Sequence, residues 1–373
     1  MKFVLNKIGQ LVQDIVDQVT GAALPTLYYN PQGQAGQVLD VLPQLKQKYR
    51  PTPWLANTHL HLIYFDLIKI KAVQFQYELV EQLNMSDGGI TAIAWYGLHV
   101  AVDTPTIVLM PTLTGTSESM AELVRDLHRH TGWRVALCLR RGHAKLPLPV
   151  PKISMFGSTD DLREQIQYIE SKFPESTLYA VGSSAGTGLL VRYLGEQGEQ
   201  TPFKAAFALC PGYDTELVFQ NVHPFYSKVM TKNLFESFIH PYSEAWQHTA
   251  CLPKVLAARN LLEFQYHYFE LAGYSSFEDY NQATNPIHVF ENVKIPLMIL
   301  NAEDDPVCHI RNLEPYKETL QKMPNIIVVT TKKGSHCIFY EGFKQPESWA
   351  SRLIADYLRV HQSFPALTYR RGA

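Results

Sequence analysis

A serine in a short glycine-framed motif is the residue best suited to nucleophilic chemistry in this sequence. Ser184 stands at the centre of Gly182-Ser183-Ser184-Ala185-Gly186, a G-x-S-x-G pattern. The apolar run Leu178–Val181 before it predicts a buried strand, and the run Leu189–Leu194 after it is compatible with a helix. Strand, tight turn and helix in this order are the context that a nucleophile elbow requires. The pattern alone is a weak signal, so the rest of the chain must supply a base and an acid.

An acid and a histidine follow Ser184 in the order that such a site needs. A serine hydroxyl attacks well only when a base removes its proton, and a carboxylate must hold that base in the correct tautomer. Two late apolar runs, 296–301 and 326–331, predict strands, and they lead into Asp304-Asp305 and into His336. Because loops after neighbouring parallel strands meet at the carboxyl edge of a sheet, we expect the acid and His336 to lie near Ser184.

The acid is expected to be Asp305, with Asp304 as the alternative. Pro306 follows Asp305 and fixes a turn that can direct its carboxylate inward, whereas Asp304 would cap the loop or remain solvated. His336 is expected to be the base, and the histidines of the segment 212–290 are expected to be lining or surface groups. No pair of histidines forms an H-E-x-x-H cluster, so neither a metal nor another cofactor is expected.

Two backbone amides are candidates for stabilising the negative charge that develops on an attacked carbonyl oxygen. One belongs to Ala185, directly after the nucleophile at the start of a helix. The other is expected in the loop Pro111–Ser117 after the predicted strand Thr106–Met110, and Leu113 is the candidate there. The alternative for this loop is a simple connection between strand and helix.

Composition excludes several classes of function. The chain has 373 residues, and its net charge of −2 gives no basic surface of the kind that binds nucleic acid. Its five cysteines are scattered without a C-x-x-C pair, which indicates reduced thiols of an intracellular protein rather than a disulfide framework or a zinc site. The sequence has no apolar run of about 18 residues and no signal-peptide pattern. We therefore expect a cytoplasmic protein.

Short apolar runs alternate with helical patterns through most of the chain. Alternating β and α units predict a mostly parallel sheet with helices on both faces. The stretch 212–290 breaks this rhythm and is expected to form an inserted helical cap. Its aromatic residues are expected either to roof an acyl-binding site or to pack within the cap, and both alternatives stay open for Phe219, Phe225, Tyr226, Phe235, Phe238, Tyr266, Tyr268 and Phe269.

The N-terminal part is expected to precede the catalytic domain, with a division into residues 1–48 and 49–373. A linker rich in Pro, Gly and Gln is expected near residues 25–37. Residues 1–22 predict an amphipathic helix that either docks on the protein or lies on a membrane surface. Its apolar residues at helical spacing are Val4, Leu5, Ile8, Leu11, Val12, Ile15, Val16 and Val19.

The segment between this helix and the alternating region has weaker signals. Residues 50–62 are expected to be extended. The alternation over Val73–Leu83 predicts a strand, which a turn at Ser86–Gly89 would pair with a second strand over Ile90–Tyr96.

Taken together, these residues resemble one branch of the α/β-hydrolase superfamily. This branch contains the abhydrolase-domain acylglycerol lipases and phospholipases of animals, the yeast medium-chain ethyl ester synthase/esterases and the bacterial YheT-type hydrolases. The resemblance covers about residues 49–361 and implies an α/β-hydrolase fold with the triad on Ser184, Asp305 and His336. Its motifs, in family order, are Pro53–Leu60, Asp87-Gly88-Gly89 with Trp95, Leu113–Ser117, Gly132-Trp133-Arg134, Arg141-Gly142, Asp160-Asp161-Leu162, Gly182–Gly186, Tyr193–Glu196, Asn301–Pro306 and Gly334-Ser335-His336.

One departure from the family concerns the oxyanion loop. The family usually has a glycine before the oxyanion residue, and this chain has Thr112 in that place. Glycine adopts backbone angles that threonine disfavours. The sequence alone therefore does not establish how the backbone amide of Leu113 is oriented.

The sequence therefore predicts a serine hydrolase that cleaves carboxylic esters, acylglycerols or other medium- and long-chain acyl esters, through an acyl-enzyme on Ser184. The expected partner is a small-molecule acyl ester, with membrane contact through residues 1–22 as an open alternative. Two other functions stay open: an acyltransferase or ester synthase that uses an alcohol in place of water, and a non-catalytic binding protein of the same fold.

Overall fold

The computed structural model describes residues 2–73, 75–153, 155–156 and 158–363. Within these residues, nine strands form one large sheet. The side chains of residues 2–6 and 8, which include Val4, Leu5 and Ile8 of the predicted helix, lie outside this description, as do the last ten residues of the chain. The strands are β1 Thr26–Tyr29, β2 Leu79–Asn84, β3 Ile90–Tyr96, β4 Thr106–Met110, β5 Arg134–Leu139, β6 Leu178–Ser183, β7 Phe203–Leu209, β8 Leu297–Ala302 and β9 Ile326–Thr331.

The strands lie in the order β1-β9-β8-β7-β6-β4-β5-β3-β2. The strands from β4 to β9 are parallel to their neighbours within this group, whereas β1, β2 and β3 pair in antiparallel fashion. Every residue of β4, β5, β6, β8 and β9 is buried, as expected of strands covered on both faces. This confirms the prediction of a mostly parallel sheet flanked by helices.

Helices connect the strands and surround the sheet. Apart from short 3-10 and π segments, the α-helices of the described residues are α1 Lys2–Thr20, α2 Ala35–Asp40, α3 Thr58–Tyr64, α4 Ile70–Ala72, α5 Ser117–Thr131, α6 Asp160–Lys172, α7 Ala185–Gln197, α8 Thr215–Asn221, α9 Pro224–Leu234, α10 Ser243–Trp246, α11 Leu252–Ala257, α12 Leu261–Tyr268, α13 Phe277–Thr284, α14 Lys317–Lys322 and α15 Trp349–Ser363. A further small hairpin joins β10 Tyr340–Glu341 to β11 Glu347–Ser348.

The two faces of the sheet have separate cores. Apolar residues of α2, α5 and α15 pack on one face, and those of α6, α7 and α14 pack on the other. Helix α5 begins at a capping box, in which Thr116 and Ser119 exchange backbone-to-side-chain hydrogen bonds, and ends at Gly132 with φ 73°. The N-terminal cap fixes where the loop after β4 ends, and that loop contributes to the site described below.

Helices α8 to α13 lie between β7 and β8 and share a core of their own. Phe238, Trp246, Phe264 and Tyr268 are almost fully buried in it. The amide of Met155 donates a hydrogen bond of 2.9 Å to the Tyr268 hydroxyl, which ties this core to the loop before α6. The delimitation of a cap at about residues 212–290 stays a prediction.

The N-terminal segment differs from the predicted linker. Residues 25–37 contain β1, which forms the edge of the sheet and pairs antiparallel with β9, with Thr26 opposite Thr330. The four residues Thr-Leu-Tyr-Tyr favour a strand, but their proline and glycine flanks conceal it in the sequence. The prediction of a linker near residues 25–37 is therefore wrong, whereas the division of the chain at residue 48 stays a prediction.

Two further elements differ from expectation. Residues 50–62 were expected to be extended, but Asn57 caps α3 by accepting hydrogen bonds from the amides of His59 and Leu60. The strand predicted from Val73 begins only at Leu79. Phe75 lies before it and packs its ring against the Tyr96 ring at 4.5 Å between centroids, so its apolar spacing reflects packing rather than pairing.

Helix α1 contacts the protein through polar side chains. The buried carboxylate of Asp17 accepts hydrogen bonds from Arg50 at 2.8 Å and from Lys48 at 3.1 Å. The side chains of Leu11, Val12, Ile15 and Val19 are each more than half exposed. Val16 of the same helix is partly buried, so both predictions for residues 1–22, docking on the protein and lying on a membrane surface, stay predictions. None of the helices described has the length and apolar composition needed to cross a membrane.

Candidate active site

Ser184 lies in the sharp turn between β6 and α7. Its φ of 52° and ψ of −120° are angles that most residues avoid, and they hold the side chain apart from both strand and helix. Two glycines make this turn possible. A Cβ added at Gly186 would lie 2.2 Å from the carbonyl oxygen of Met110, and one at Gly182 would lie 2.7 Å from that of Gly186. The motif therefore needs glycine at both positions, because any larger residue there would overlap the neighbouring backbone.

The structure brings the three predicted triad side chains into one hydrogen-bonded series. The His336 Nε2 atom lies 2.6 Å from the Ser184 Oγ atom, and its Nδ1 atom lies 2.9 Å from the Asp305 Oδ2 atom. With Nδ1–H donating to the carboxylate, Nε2 is free to accept the serine proton. The other carboxylate oxygen of Asp305 accepts the amides of Val307 and Cys308, at 2.8 and 2.9 Å, and this fixes its orientation.

Asp304, the alternative acid, has a different partner. Its carboxylate forms an ion pair of 3.4 Å with the Lys333 ammonium group. Burial raises the pKa of Asp304 to about 6, although Lys333 opposes that rise. The contact with His336 is therefore made by Asp305, as expected, and the catalytic role of Asp305 stays a prediction.

The surroundings of His336 stabilise the imidazolium cation that forms when the ring accepts a proton. Burial of the ring lowers the pKa, but the carboxylate of Asp305 and the thiols of Cys337 and Cys308 together hold it well above its usual value. A histidine whose cation is stabilised in this way is suited to receive the Ser184 proton as the hydroxyl attacks.

Leu113 lies in the loop after β4, and Ala185 directly follows Ser184 in the chain. Ala185 is the first residue of α7, where an amide has no partner within the helix. The amide of Leu113 donates to no acceptor among the described residues, and its side chain lines the same cavity as Ser184. Both amides are thus available to an oxyanion, and their use in catalysis stays a prediction.

A buried arginine holds the loop that carries Leu113. Arg140 donates from Nη2 to the carbonyl oxygens of Thr112 at 2.8 Å and of Leu113 at 3.3 Å. The Thr112 carbonyl and the Leu113 amide belong to one trans peptide unit, so they point in opposite directions. Anchoring the carbonyl at Arg140 therefore turns the Leu113 amide away from Arg140. The hydrogen bond from Arg140 therefore restrains the backbone at Thr112, where the family usually has a glycine.

A histidine completes this support. The Nε atom of Arg140 donates to the His143 Nε2 atom at 3.3 Å, and the His143 Nδ1 atom donates to the Gly115 carbonyl oxygen at 3.0 Å. Burial and the charge of Arg140 hold the pKa of His143 well below its usual value, so the ring stays neutral. Burial lowers the pKa of Arg140 itself to about 10. We call Arg140 and His143 the loop clamp.

Sequence reasoning missed the loop clamp. Arg140 stands directly before the recognised Arg141-Gly142 motif, and a charged residue at the carboxyl end of a buried strand was an available signal. Arg141 has a separate, structural partner set, because its guanidinium bonds Asp161 and Asp87.

An apolar cavity of about 670 Å³ opens over Ser184 and His336. Its walls come from α3 and the turn after it, from the cap helix α9 and from the loop of Leu113. A hydrogen bond of 2.8 Å between the His59 Nδ1 atom and the Tyr226 hydroxyl joins α3 to α9 across this cavity. The apolar residues of its lining include Leu62, Ile63, Phe65, Leu67, Leu123, Phe225, Val229, Met230, Val307 and Ile338.

The aromatic residues of the cap divide between the two predicted roles. Phe225 and Tyr226 line the cavity, and Phe219 lines a small extension of about 50 Å³ beside Ser184. Phe238 and Tyr268 instead pack in the core of the cap. Of the cap histidines, His223 is a cavity-lining residue, as the sequence led us to expect for such groups.

Comparison with known proteins agrees with this architecture. The family model for the alpha/beta hydrolase fold matches residues 105–343. Phospholipase ABHD3 of Bos taurus is 29% identical over 336 residues, which cover 86% of this chain and 80% of that protein. Monoacylglycerol lipase ABHD2 of Mus musculus is 24% identical over 363 residues, which cover 90% of this chain and 85% of that protein.

One solved structure gives a similar picture of the fold. A protein of unknown function from Staphylococcus aureus subsp. aureus Mu50 has a TM-score of 0.50 and 13% identity, over 78% of this chain and 100% of its own. This likeness concerns the fold alone.

Proposed function

The chain belongs to the α/β-hydrolase family, and we propose that it is a carboxylic ester hydrolase that cleaves lipid esters through an acyl-enzyme on Ser184. The observation that carries this proposal is the hydrogen-bonded series of Ser184, His336 and Asp305 beneath an apolar cavity. A serine, a histidine and a carboxylate in this order generate a nucleophile at neutral pH. The relatives named as a phospholipase and a monoacylglycerol lipase agree with this class.

Acylation begins when the Ser184 Oγ atom bonds to the ester carbonyl carbon and its proton passes to the His336 Nε2 atom. The carbonyl π electrons move to the oxygen, and the amides of Leu113 and Ala185 stabilise that oxyanion. Asp305 stabilises the imidazolium of His336. When the tetrahedral intermediate collapses, the bond to the alcohol breaks and His336 gives its proton to the departing alkoxide oxygen.

Deacylation repeats these steps with water as the nucleophile. His336 takes a proton from the water as its oxygen bonds to the acyl carbon. Collapse of the second intermediate breaks the ester bond to Ser184, which regains a proton from His336, and the carboxylic acid leaves.

The cavity supports a substrate with an acyl chain of medium or greater length. A volume of about 670 Å³ lies within the range of pockets for drug-sized organic ligands, and most of its lining is apolar. No ammonium or guanidinium group appears among its described lining residues, so the acyl chain rather than an anionic head group is the natural occupant.

A fluorophosphonate probe tests the nucleophile. Such probes phosphonylate activated serines, so the wild type and the matched variant Ser183→Ala should be labelled while Ser184→Ala should not. Absence of labelling in a folded wild type would favour the non-catalytic alternative and reject this proposal.

A second assay defines the substrate and the acceptor. Turnover of p-nitrophenyl esters of graded chain length, alongside acylglycerols, should rise as the chain fills the cavity. Product analysis with added ethanol or glycerol separates hydrolysis from acyl transfer, because an ester synthase would accumulate the new ester.

We further propose that residues 1–22 contact a lipid surface. The described face of α1 exposes Leu11, Val12, Ile15 and Val19, which is the arrangement of helices that lie in a membrane interface. Co-sedimentation with phosphatidylcholine vesicles should be reduced by Leu11→Asp combined with Ile15→Asp. Equal sedimentation of the wild type and this variant would reject the contact.

A further inference from the structure

Three of the five cysteines lie around His336, although they are distant in the sequence. Cys210 follows β7 and is fully buried, Cys337 follows His336 directly, and Cys308 follows the loop of Asp305. The amide of Cys337 donates to the Cys210 sulfur at 3.2 Å. Both Cys210 and Cys337 adopt positive φ angles, of 54° and 62°, so the backbone holds these two residues in unusual conformations.

The donor atoms of Cys210, His336 and Cys337 form a compact set. The two sulfur atoms and a ring nitrogen of His336 all lie within 4.8 Å of one another. In a tetrahedral zinc site, with Zn–S bonds of about 2.3 Å and Zn–N bonds of about 2.0 Å, neighbouring donor atoms are roughly 3.5 Å apart. The three donor atoms would therefore have to move only slightly closer together to reach the spacing of a zinc site.

We propose that Cys210, His336 and Cys337 form an inhibitory binding site for a thiophilic divalent cation, with Zn²⁺ as the ion that best matches two sulfur ligands and one nitrogen. Two thiolates and an imidazole are a preferred ligand set for zinc, and a water molecule from the cavity can occupy the fourth position. Cys337 lines the cavity above Ser184, which gives the ion a route to the site. The sequence spacing of the cysteines did not indicate this site, because only the fold brings them together.

Metal binding and catalysis exclude each other at this site. Both ring nitrogens of His336 are engaged in the triad, with Ser184 and with Asp305. A cation that takes either nitrogen removes the proton acceptor of Ser184 or the contact that orients the ring. The ion is thus a regulator or an inhibitor rather than a resident cofactor.

The two thiols are unequal ligands. Burial raises the pKa of Cys337, but the Cys210 thiol, His336 and the Ser183 hydroxyl outweigh it and lower that pKa to about 5. Burial holds the pKa of Cys210 well above its usual value. Zinc binds cysteine as the thiolate, so a thiol that is protonated in the metal-free protein releases its proton to solvent when it binds the ion.

Zinc titration of esterase activity tests the site in the presence of a phosphine reductant, which prevents disulfide formation. Zn²⁺ should inhibit the wild type, and EDTA should restore activity. Each curve is normalised to the metal-free activity of the same variant. Cys337→Ser and Cys210→Ser should each raise the half-inhibitory concentration about tenfold or more. Cys251→Ser, a change in the cap, should leave that concentration unchanged.

Cys308→Ser discriminates between two neighbouring donor sets. Asp305, Cys308 and His336 also lie within 4.8 Å of one another through their donor atoms, but they offer one sulfur ligand only. Cys308→Ser should therefore retain zinc sensitivity. Relief of inhibition in this variant, with none in Cys337→Ser, would overturn the proposed ligand set.

A spectroscopic measurement does not depend on turnover. Co²⁺ added to the folded wild type should produce thiolate-to-cobalt charge-transfer absorption that Zn²⁺ abolishes and that the Cys210→Ser/Cys337→Ser variant lacks. Failure of the proposed esterase function would leave this signal intact. A wild type without the signal, or an equal signal in the double variant with native circular dichroism, would reject the site.

Discussion

The guanidinium group of Arg140 donates a hydrogen bond of 2.8 Å to the carbonyl oxygen of Thr112, the residue that stands where the family usually has a glycine. This contact anchors one end of the peptide unit whose other end is the Leu113 amide. The buried guanidinium of Arg140 thus orients a peptide unit that, in the family, the backbone freedom of a glycine would allow to adopt its position. The same guanidinium reaches His143, which holds the Gly115 carbonyl oxygen, so the loop is anchored at two points.

Arg140→Gln should lower kcat by about tenfold to a hundredfold with little change in KM, because a loosened oxyanion donor affects the transition state more than the bound ester. Arg140→Lys should recover only part of the loss, since an ammonium group can donate to the carbonyl but lacks the fixed fork with which the guanidinium reaches both Thr112 and His143. Steady-state kinetics on a short p-nitrophenyl ester measure both parameters. Arg125→Gln, on the outer side of α5, is the matched control. A rise in KM at constant kcat would contradict a positioning role.

Asp305→Asn should lower kcat by about 10⁴-fold, because an amide holds the imidazole in the wrong tautomer. Asp304→Asn should retain kcat within about twofold, since its carboxylate pairs with Lys333 instead of His336. The neighbouring positions make these two variants controls for each other. If Asp304→Asn proved the more damaging in kcat at equal thermal stability, the assignment of the acid would be wrong.

Gly186→Ala should destabilise the protein by roughly 3 kcal/mol or more, because the new methyl group would meet the Met110 carbonyl oxygen at 2.2 Å. Gly188→Ala, two residues later on the same helix, meets nothing closer than 3.7 Å. That substitution should be neutral or stabilising by up to about 1 kcal/mol, since alanine favours a helix. Urea unfolding of both variants gives the comparison. Similar losses of stability would show that the helix rather than the elbow contact sets the cost.

His361 should make the protein less stable as the pH falls from about 6.5 to 4. Its ring is buried against Tyr357, and burial lowers its pKa to about 4. The unfolded chain therefore binds a proton that the folded chain rejects in this interval, and folding loses about 2–3 kcal/mol by pH 4.5. His361→Phe should show a smaller loss between pH 7 and 4.5 in urea unfolding. Equal losses in both proteins would assign the acid sensitivity to other groups.

The sequence could predict those features of this protein that are determined by residues close together in the chain. The turn at Ser184 requires its flanking glycines, and strands buried on both faces leave continuous apolar runs around them. The order of Ser184, Asp305 and His336 then follows from the position of each after a parallel strand. A short motif with its context was therefore sufficient to predict that these three side chains lie together, while their catalytic roles stay a prediction.

The parts that it missed depend on contacts between distant segments. The clamp of Arg140 on Thr112 needs the register of β4 beside β5, and the meeting of Cys210 with Cys337 needs β7 and the loop after β9 to converge. Strand β1 was hidden because its four residues, Thr26–Tyr29, lie between Pro25 and Asn30-Pro31 and carry too little pattern. Its pairing partner lies at the other end of the chain.

This pairing has a consequence for how the protein is made. Thr26 of β1 pairs with Thr330 of β9, about 300 residues later, so this edge of the sheet can close only after residue 330 has been synthesised. His336 is translated just after that strand. A nascent chain on the ribosome thus carries Ser184 long before His336, so the proposed esterase activity requires synthesis to pass residue 336.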